Sequence, residues 1–226
     1  MNILALDSAC AACSAAVMRD GAVVAQRFRA MARGHVEALM PMVVEVLEQA
    51  GLGFHALDRM AVTVGPGSFT GLRAGLAAAR GLALARALPL DGVTTLEAVA
   101  FAARDQASGR PIVVAIETRR ADLYVQRFDA GGAPASTPAA LLPEAAATLL
   151  SGGDCLLAGD GAPRLAAALT GRPAAVADGP GLPHAAAVAA LAAEAQAEGR
   201  ALRPPAPFYL HPPEAKIPAP PQRTSP

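Results

Sequence analysis

The sequence predicts an α/β protein built of two similar lobes, each a mixed sheet flanked by helices. Strand-like and helix-like segments alternate in the order β-β-β-α-β-α-β-α from the first residues to a helix opening at Thr94. A pattern of four apolar residues, a carboxylate and a hydroxyl occurs twice, as ILALDS (3–8) and VVAIET (113–118). Each copy is followed by a second strand-like segment and then by a turn signal, Asp20-Gly21 or Asp129-Ala130-Gly131-Gly132. Matched context on both sides reads as an internal duplication.

The elements follow in order. NILALDS is a short continuous apolar run, suited to a buried strand. SAAVMR and AVVAQRF flank Asp20-Gly21, the two-residue signal of a β-hairpin. Val36, Leu39, Met40, Val43 and Leu47 recur at three- and four-residue spacing and predict an amphipathic helix over about 35–50. Pro41 within it is expected to bend the helix or mark an irregular first turn. RMAVTV (59–64) reads as a second buried strand, followed by a glycine-rich loop and a helix to about Ala87. LPLDGV is a short strand, and TTLEAVAFAAR opens a helix with a capping box from Thr94 to Glu97. The second lobe carries a strand ADLYVQRF, a helix near 144–151, a strand CLLAGDG (155–161) and a helix near 184–199. The expected divisions are 1–109 for the first lobe, 110–211 for the smaller second lobe, and 212–226 for a proline-rich, disordered tail.

A chain of 226 residues buries roughly 70% of its unfolded surface and needs no disulfide or metal staple. Nineteen basic residues balance nineteen acidic ones, which argues against gripping nucleic acid unaided. Arg110, Arg119, Arg120 and Arg127 around the second hairpin read as a solvated rim. The composition is 53% hydrophobic with a mean hydropathy of +0.35. Nearly half of that is alanine, and no apolar run reaches the roughly 20 residues of a spanning helix. With no secretory signal visible, the expectation is a soluble cytoplasmic protein with no membrane partner. Cys10 and Cys13 form CAAC, but hairpin material follows rather than a helix, and no second pair completes a zinc site. They read as small buried thiols.

The stretch VTVGPGSFTGLRAGLAAARG (62–81) invites a phosphate or nucleophile reading. A P-loop needs a glycine followed by Gly-Lys at a set offset, which is missing. The dinucleotide fingerprint fails by one residue, since the glycines fall at 65, 67 and 71. Ser68 stands in PGSFT rather than in a G-x-S-x-G elbow. Two readings stand: an anion held at a helix N-terminus, or a tight strand-to-helix turn. Along the helix, Gly71, Ala74, Gly75, Ala78, Leu82 and Ala85 form a stripe of mostly small side chains. Packing on the chain's own sheet and packing on a partner helix both want small residues, so the residues leave both open. Metal ligands are scarce: His35 has Leu39 where a helical pair would want a second histidine, and His55, His184 and His211 show no paired spacing.

Four segments together, ILALDSACAACSAAV, GPGSFTGLRAGLAAARGLAL, GVTTLEAVA and PFYL, resemble the bacterial TsaB/YeaZ family over nearly the whole length to about residue 211. The resemblance implies two lobes of the actin-like ATPase and Hsp70-like (RNase H-like) fold. It implies a non-catalytic partner of TsaD, the enzyme that transfers the threonylcarbamoyl group to adenosine next to the anticodon of tRNA. ATP and metal are then expected on TsaD and none on this chain, with Asp7 and Ser8 as remnants of a phosphate loop. His35 and Leu39 match the family enzyme's H-x-x-x-H metal motif with one ligand lost. The implied interface comprises His35, Leu39, Val43, Gly71, Ala74, Gly75, Ala78 and Leu82, binding TsaD as a heterodimer or a second copy when TsaD is absent. Gly75→Leu is expected to abolish that contact and leave the fold intact. The TsaE ATPase subunit is a further implied partner, and tRNA is met only through the complex. The rival is an independent ATP- or metal-dependent transferase or peptidase-like enzyme of the same fold. ETRRADLY and Tyr209-Leu210-His211 depart from the family's usual DARMGEVY and YLR.

Overall fold

Five of the six residues of the first strand, Asn2–Asp7 (β1), are buried, because β1 lies at the centre of a sheet covered on both faces. The structure is a computed structural model and describes residues 1–150, 154–169 and 174–211. β2 (Ala12–Arg19) and β3 (Ala22–Ala30) follow as an antiparallel hairpin. Its turn residues Asp20 and Gly21 have φ of 50° and 84°, the left-handed values a two-residue hairpin turn needs. α1 (His35–Gln49) runs unbroken past Pro41 and leads into β4 (Arg59–Gly65). α2 (Phe69–Ala85), β5 (Leu90–Thr94) and α3 (Thr95–Ala107) complete the first half. The capping box of α3 forms: Glu97 N donates to Thr94 Oγ1 at 3.0 Å, and Thr94 N donates to the Glu97 carboxylate at 2.9 Å.

The second half repeats the plan with β6 (Ile112–Glu117), β7 (Leu123–Phe128), β8 (Ala139–Leu141), α4 (Pro143–Ala146), β9 (Leu156–Ala158), α5 (Ala162–Ala167), β10 (Ala175–Val176) and α6 (Ala185–Ala197). The sheet orders are β3-β2-β1-β4-β5 and β8-β7-β6-β9-β10. In both, the first three strands are antiparallel and the remaining pairings parallel. Asp7 and Glu117 end the equivalent strands β1 and β6, so the duplicated pattern marks a duplicated fold. α4 continues as a 3-10 turn to Leu150, and the sequence gives no clear signal for the short β8, α5 and β10. The tail expected beyond Pro212 lies outside the described residues.

Helices fill three layers around the two sheets. Leu39, Val43 and Val46 of α1 pack with Leu76 and Ala79 of α2 over the outer face of the first sheet. α4 and α5 cover the outer face of the second through Ala146, Ala162 and Leu165. The middle layer crosses the expected boundary at 109/110. α3 sets Leu96, Val99 and Ala103 against Ile112, Val114 and Ile116 of the second sheet. α6, encoded after the second sheet, packs Val188 and Ala192 on Ile3, Ala5 and Ala16 of the first. The boundary therefore separates the sheets but not the cores.

Three expected interface residues, Val43, Gly71 and Gly75, are turned inward. Leu39 and Val43 are each 2% exposed and pack in the core under α1, although Leu39 also forms the floor of a groove between α1 and α2. Gly71 and Gly75 face inward, where a Cβ on Gly75 would lie 2.5 Å from Ser8 Oγ and one on Gly71 would overlap the Ser8 carbonyl. Gly71, Gly75, Ala79 and Ala83 form a small inward stripe that seats α2 on its own sheet. His35, Ala74, Ala78 and Leu82 are half-exposed. Gly75→Leu consequently acts on the fold itself: its unfolding midpoint in urea should fall, with a loss of about 1–3 kcal/mol from overpacking, and an unchanged midpoint would contradict this seating.

Candidate functional site

The glycine-rich loop is a backbone joint between the C-terminal ends of the neighbouring parallel strands β1 and β4. Ser68 caps α2, its Oγ accepting from Gly71 N at 3.4 Å, while Ser68 N donates to Ala9 O at 2.7 Å. A Cβ on Gly67 would overlap that same Ala9 carbonyl. Ser8 Oγ donates to Gly71 O at 2.9 Å. Two N–H groups at the head of α2, those of Ser68 and Gly71, are thus bonded within the chain, and the turn 8–11 contains no glycine. A phosphate cradle needs such donors free and pointing outward.

Beside this joint, Asp7 is fully buried. Its Oδ1 accepts from Thr63 Oγ1 at 2.6 Å and from Ala9 N at 3.1 Å. Its Oδ2 has no hydrogen-bond partner among the described residues. Burial pushes the carboxyl up to about 7, against the pull of those two donors. Cys10 is held well above the usual thiol range by burial, reinforced by Asp7 and Asp160, and Cys13 is raised to about 11. Neither is a thiolate nucleophile near neutral pH. Asp160, after β9, accepts from Glu117 N at 2.8 Å and is also raised by burial.

The position that matches the family enzyme's metal motif is tied up locally. His35 Nε2 lies 2.9 Å from Cys10 O, while Leu39, one turn on, points into the core. Among the described residues no group of three His, Cys, Asp or Glu side chains is placed to hold a metal ion. An apolar hollow of about 510 Å³ opens between Phe28, Phe101, Leu182 and His184. His184 Nδ1 accepts from Ala186 N, and burial lowers the ring's pKa.

A different surface stands out on the outer helices. Val36, Met40 and Val44 of α1, four residues apart, are 59%, 40% and 50% exposed. Between Val36, Leu39 and Met40 of α1 and Thr70, Arg73, Ala74, Ala77 and Ala78 of α2 runs a groove of about 430 Å³. At its head Phe69 is 56% exposed, with the Arg73 guanidinium 3.9 Å above its ring and Tyr209 stacked beside it at 5.7 Å. Exposed large apolar side chains gathered on one face mark an interaction surface. The sequence reading put Val36 and Met40 on the same stripe as Leu39 and Val43; the structure turns the first two outward. Val44, Phe69 and Ala77 were missed, although the repeat of four from Val36 to Val44 was readable.

Comparison with known proteins fits this geometry. The family model described as TsaD: tRNA N6-adenosine threonylcarbamoyltransferase matches residues 27–149. YeaZ from Pseudomonas aeruginosa, a solved structure, superposes with a TM-score of 0.82 at 32% identity, covering 92% of this chain and 99% of that one. The chain belongs to the TsaB/YeaZ family. The Escherichia coli (strain K12) tRNA threonylcarbamoyladenosine biosynthesis protein TsaB is 40% identical over 124 residues, 55% of this chain and 53% of that protein. The chain thus spans about half the length of the curated relatives it matches. An activator of 2-hydroxyisocaproyl-CoA dehydratase from Clostridium difficile shares the fold alone, with a TM-score of 0.50 at 13% identity over 90% of this chain. The TsaB/YeaZ architecture here is that of the actin-like ATPase fold, two duplicated lobes with mixed sheets flanked by helices. No helix among the described residues is long and apolar enough to cross a membrane.

The buried Asp7 gives this family member a pH signature. Its folded pKa is raised, so the native state holds the proton more tightly than the unfolded chain between about pH 4 and about pH 7. Its contribution to stability is therefore greatest below about pH 4, declines as pH rises to about 7, and is level beyond. The full swing is at most roughly 4 kcal/mol, three pKa units of about 1.4 kcal/mol each. Urea unfolding of the chain and of Asp7→Asn across pH 4 to 8 should show this decline in the first and not the second; parallel curves would refute it.

Proposed function

We propose that this chain is the non-catalytic partner subunit of a TsaD-type threonylcarbamoyltransferase, supporting formation of threonylcarbamoyladenosine next to the anticodon of tRNA. The observation that carries the reading is the exposed apolar face of α1 and α2, Val36, Met40, Val44 and Phe69, in a member of the TsaB/YeaZ family. The TsaD family model matches the stretch that contains both helices, so a TsaD partner offers a corresponding helix pair. Two such pairs form a four-helix contact, and helices of this length can supply the roughly 800 Å² per partner of a standard interface. Half-exposed His35, Ala74, Ala78 and Leu82 border that contact. In the absence of TsaD, a second copy of the chain takes the same face.

On this reading the chemistry belongs to TsaD, which carries the ATP and metal, and no catalytic group is assigned to this chain. The bonded donors at the head of α2 and the single histidine of the former metal pair support that division. The TsaE ATPase subunit joins the pair, tRNA is met through the assembled complex, and the site of action is the cytoplasm. The deciding experiment is co-purification with TsaD, followed by an assay of threonylcarbamoyl transfer to tRNA with and without this chain. Transfer that needs the chain supports the reading, whereas tight stoichiometric ATP or divalent-metal binding by the chain alone favours the rival enzyme.

Val44→Asp tests the face directly. Val44 is half-exposed, so the melting temperature should barely move. A charge placed on the apolar face of α1 should weaken TsaD binding by about tenfold or more in calorimetry. Wild-type affinity in this variant would show that the partner binds elsewhere.

A further inference from the structure

Residues 203–211, which include the PFYL motif, run as an extended strap across both halves of the molecule. Arg203 pairs with Gly92 through two backbone hydrogen bonds of 2.9 and 3.2 Å. Arg80 Nε donates to Pro205 O at 2.8 Å, and Phe208 N donates to Val64 O at 2.7 Å. Glycine makes the room for this close approach: a Cβ on Gly92 would lie 2.7 Å from Pro204 O, and one on Gly65 would lie 2.6 Å from Phe208 O. The next three residues divide between two destinations. Tyr209 stacks on Phe69, and its hydroxyl accepts from Arg73 Nε at 3.2 Å, at the head of the α1/α2 groove. Leu210 packs against the core cluster between α3 and the second sheet. The His211 ring lies 5.2 Å from that of Tyr124, and its Nε2 is 3.2 Å from Asp122 Oδ2.

From this we infer that the strap is a coupling device: seating Leu210 and His211 on the second lobe sets Tyr209, which positions Phe69 and Arg73 on the partner-docking face. The inference rests on the α1/α2 face being the docking surface. Phe69 and Arg73 begin α2 as exposed side chains, and among the described residues their ring and hydrogen-bond contacts are to Tyr209 and to each other. Arginine and tyrosine are enriched among the residues that carry interface energy, and a cation–π contact holds Arg73 over the Phe69 ring. Because Tyr209 is followed directly by Leu210, lifting Leu210 and His211 from the second lobe leaves the ring anchored from its N-terminal side alone, where Phe208 N bonds Val64 O. The docking face therefore senses how the two lobes are held together, through backbone continuity over three residues.

The test is a binding series against TsaD by calorimetry, with melting temperatures in parallel, on wild type, Val44→Asp, Tyr209→Ala, Leu210→Ala and the last two combined. The device predicts that Leu210→Ala weakens binding about tenfold, although its side chain packs in the second-sheet core rather than on the face. It also predicts that adding Tyr209→Ala weakens binding little further, because both substitutions release the same anchor. Wild-type affinity for Leu210→Ala, or two losses that add in full, overturns the coupling. If Val44→Asp binds like wild type, the docking-face reading itself fails, which separates the two conclusions. His211→Ala cuts the other second-lobe anchor and carries the same prediction if Leu210→Ala does not fold.

Discussion

The whole arrangement depends on the contact between the head of α2 and the turn that follows β1. There Gly67 and Gly71 lie directly on the carbonyls of Ala9 and Ser8, and Gly75 lies on the Ser8 hydroxyl. Ser8 Oγ and Ser68 N close it with hydrogen bonds of 2.9 and 2.7 Å. A contact this close fixes the roll of α2 about its axis as well as its distance from the sheet, because the interior packs to near-crystalline density. With the roll fixed, Ala74 and Ala77 face the groove and Phe69 and Arg73 stand at its head. The glycine loop serves a protein surface by serving the helix that presents it.

The same joint surrounds the one carboxylate of β1. Asp7 is enclosed by Thr63, the Ala9 amide and apolar neighbours, so its charged form is disfavoured. Its counterpart at the end of β6, Glu117, instead pairs with Arg164 at 3.0 Å, and each side chain is 35% exposed. Two lobes with one plan have thus put their equivalent carboxylates in opposite environments. The crossed middle layer then binds the lobes together, since α3 and α6 each cover the sheet encoded by the other half. The strap adds a second tie by the same logic, returning from the second half to β4, β5 and α2.

Much of this was legible locally. The hairpin at Asp20-Gly21, the capping box at Thr94 and Glu97, and the repeat of ILALDS as VVAIET each depend on residues close in sequence. α1 and α2 were legible in extent but not in orientation. On α1, the inward Leu39 and Val43 and the outward Val36, Met40 and Val44 are all apolar, so periodicity alone has two answers. On α2, the inward Gly71 and Gly75 and the outward Ala74 and Ala77 are all small. The strap was seen as a motif, but its contacts lie over a hundred residues away in sequence, as in the bond from Arg73 to Tyr209.

The sequence by itself determined the duplicated α/β plan, the family and the failure of every phosphate and nucleophile template, because those depend on residue types at short, fixed spacings. The tertiary structure alone decided which face of each outer helix is buried, which half's helix covers which sheet, and where Tyr209 and His211 come to rest. The reason is physical: an apolar or small side chain lowers the free energy equally well against its own sheet or against a partner. Only the position of the sheet, through the closest backbone contact it permits, distinguishes the two.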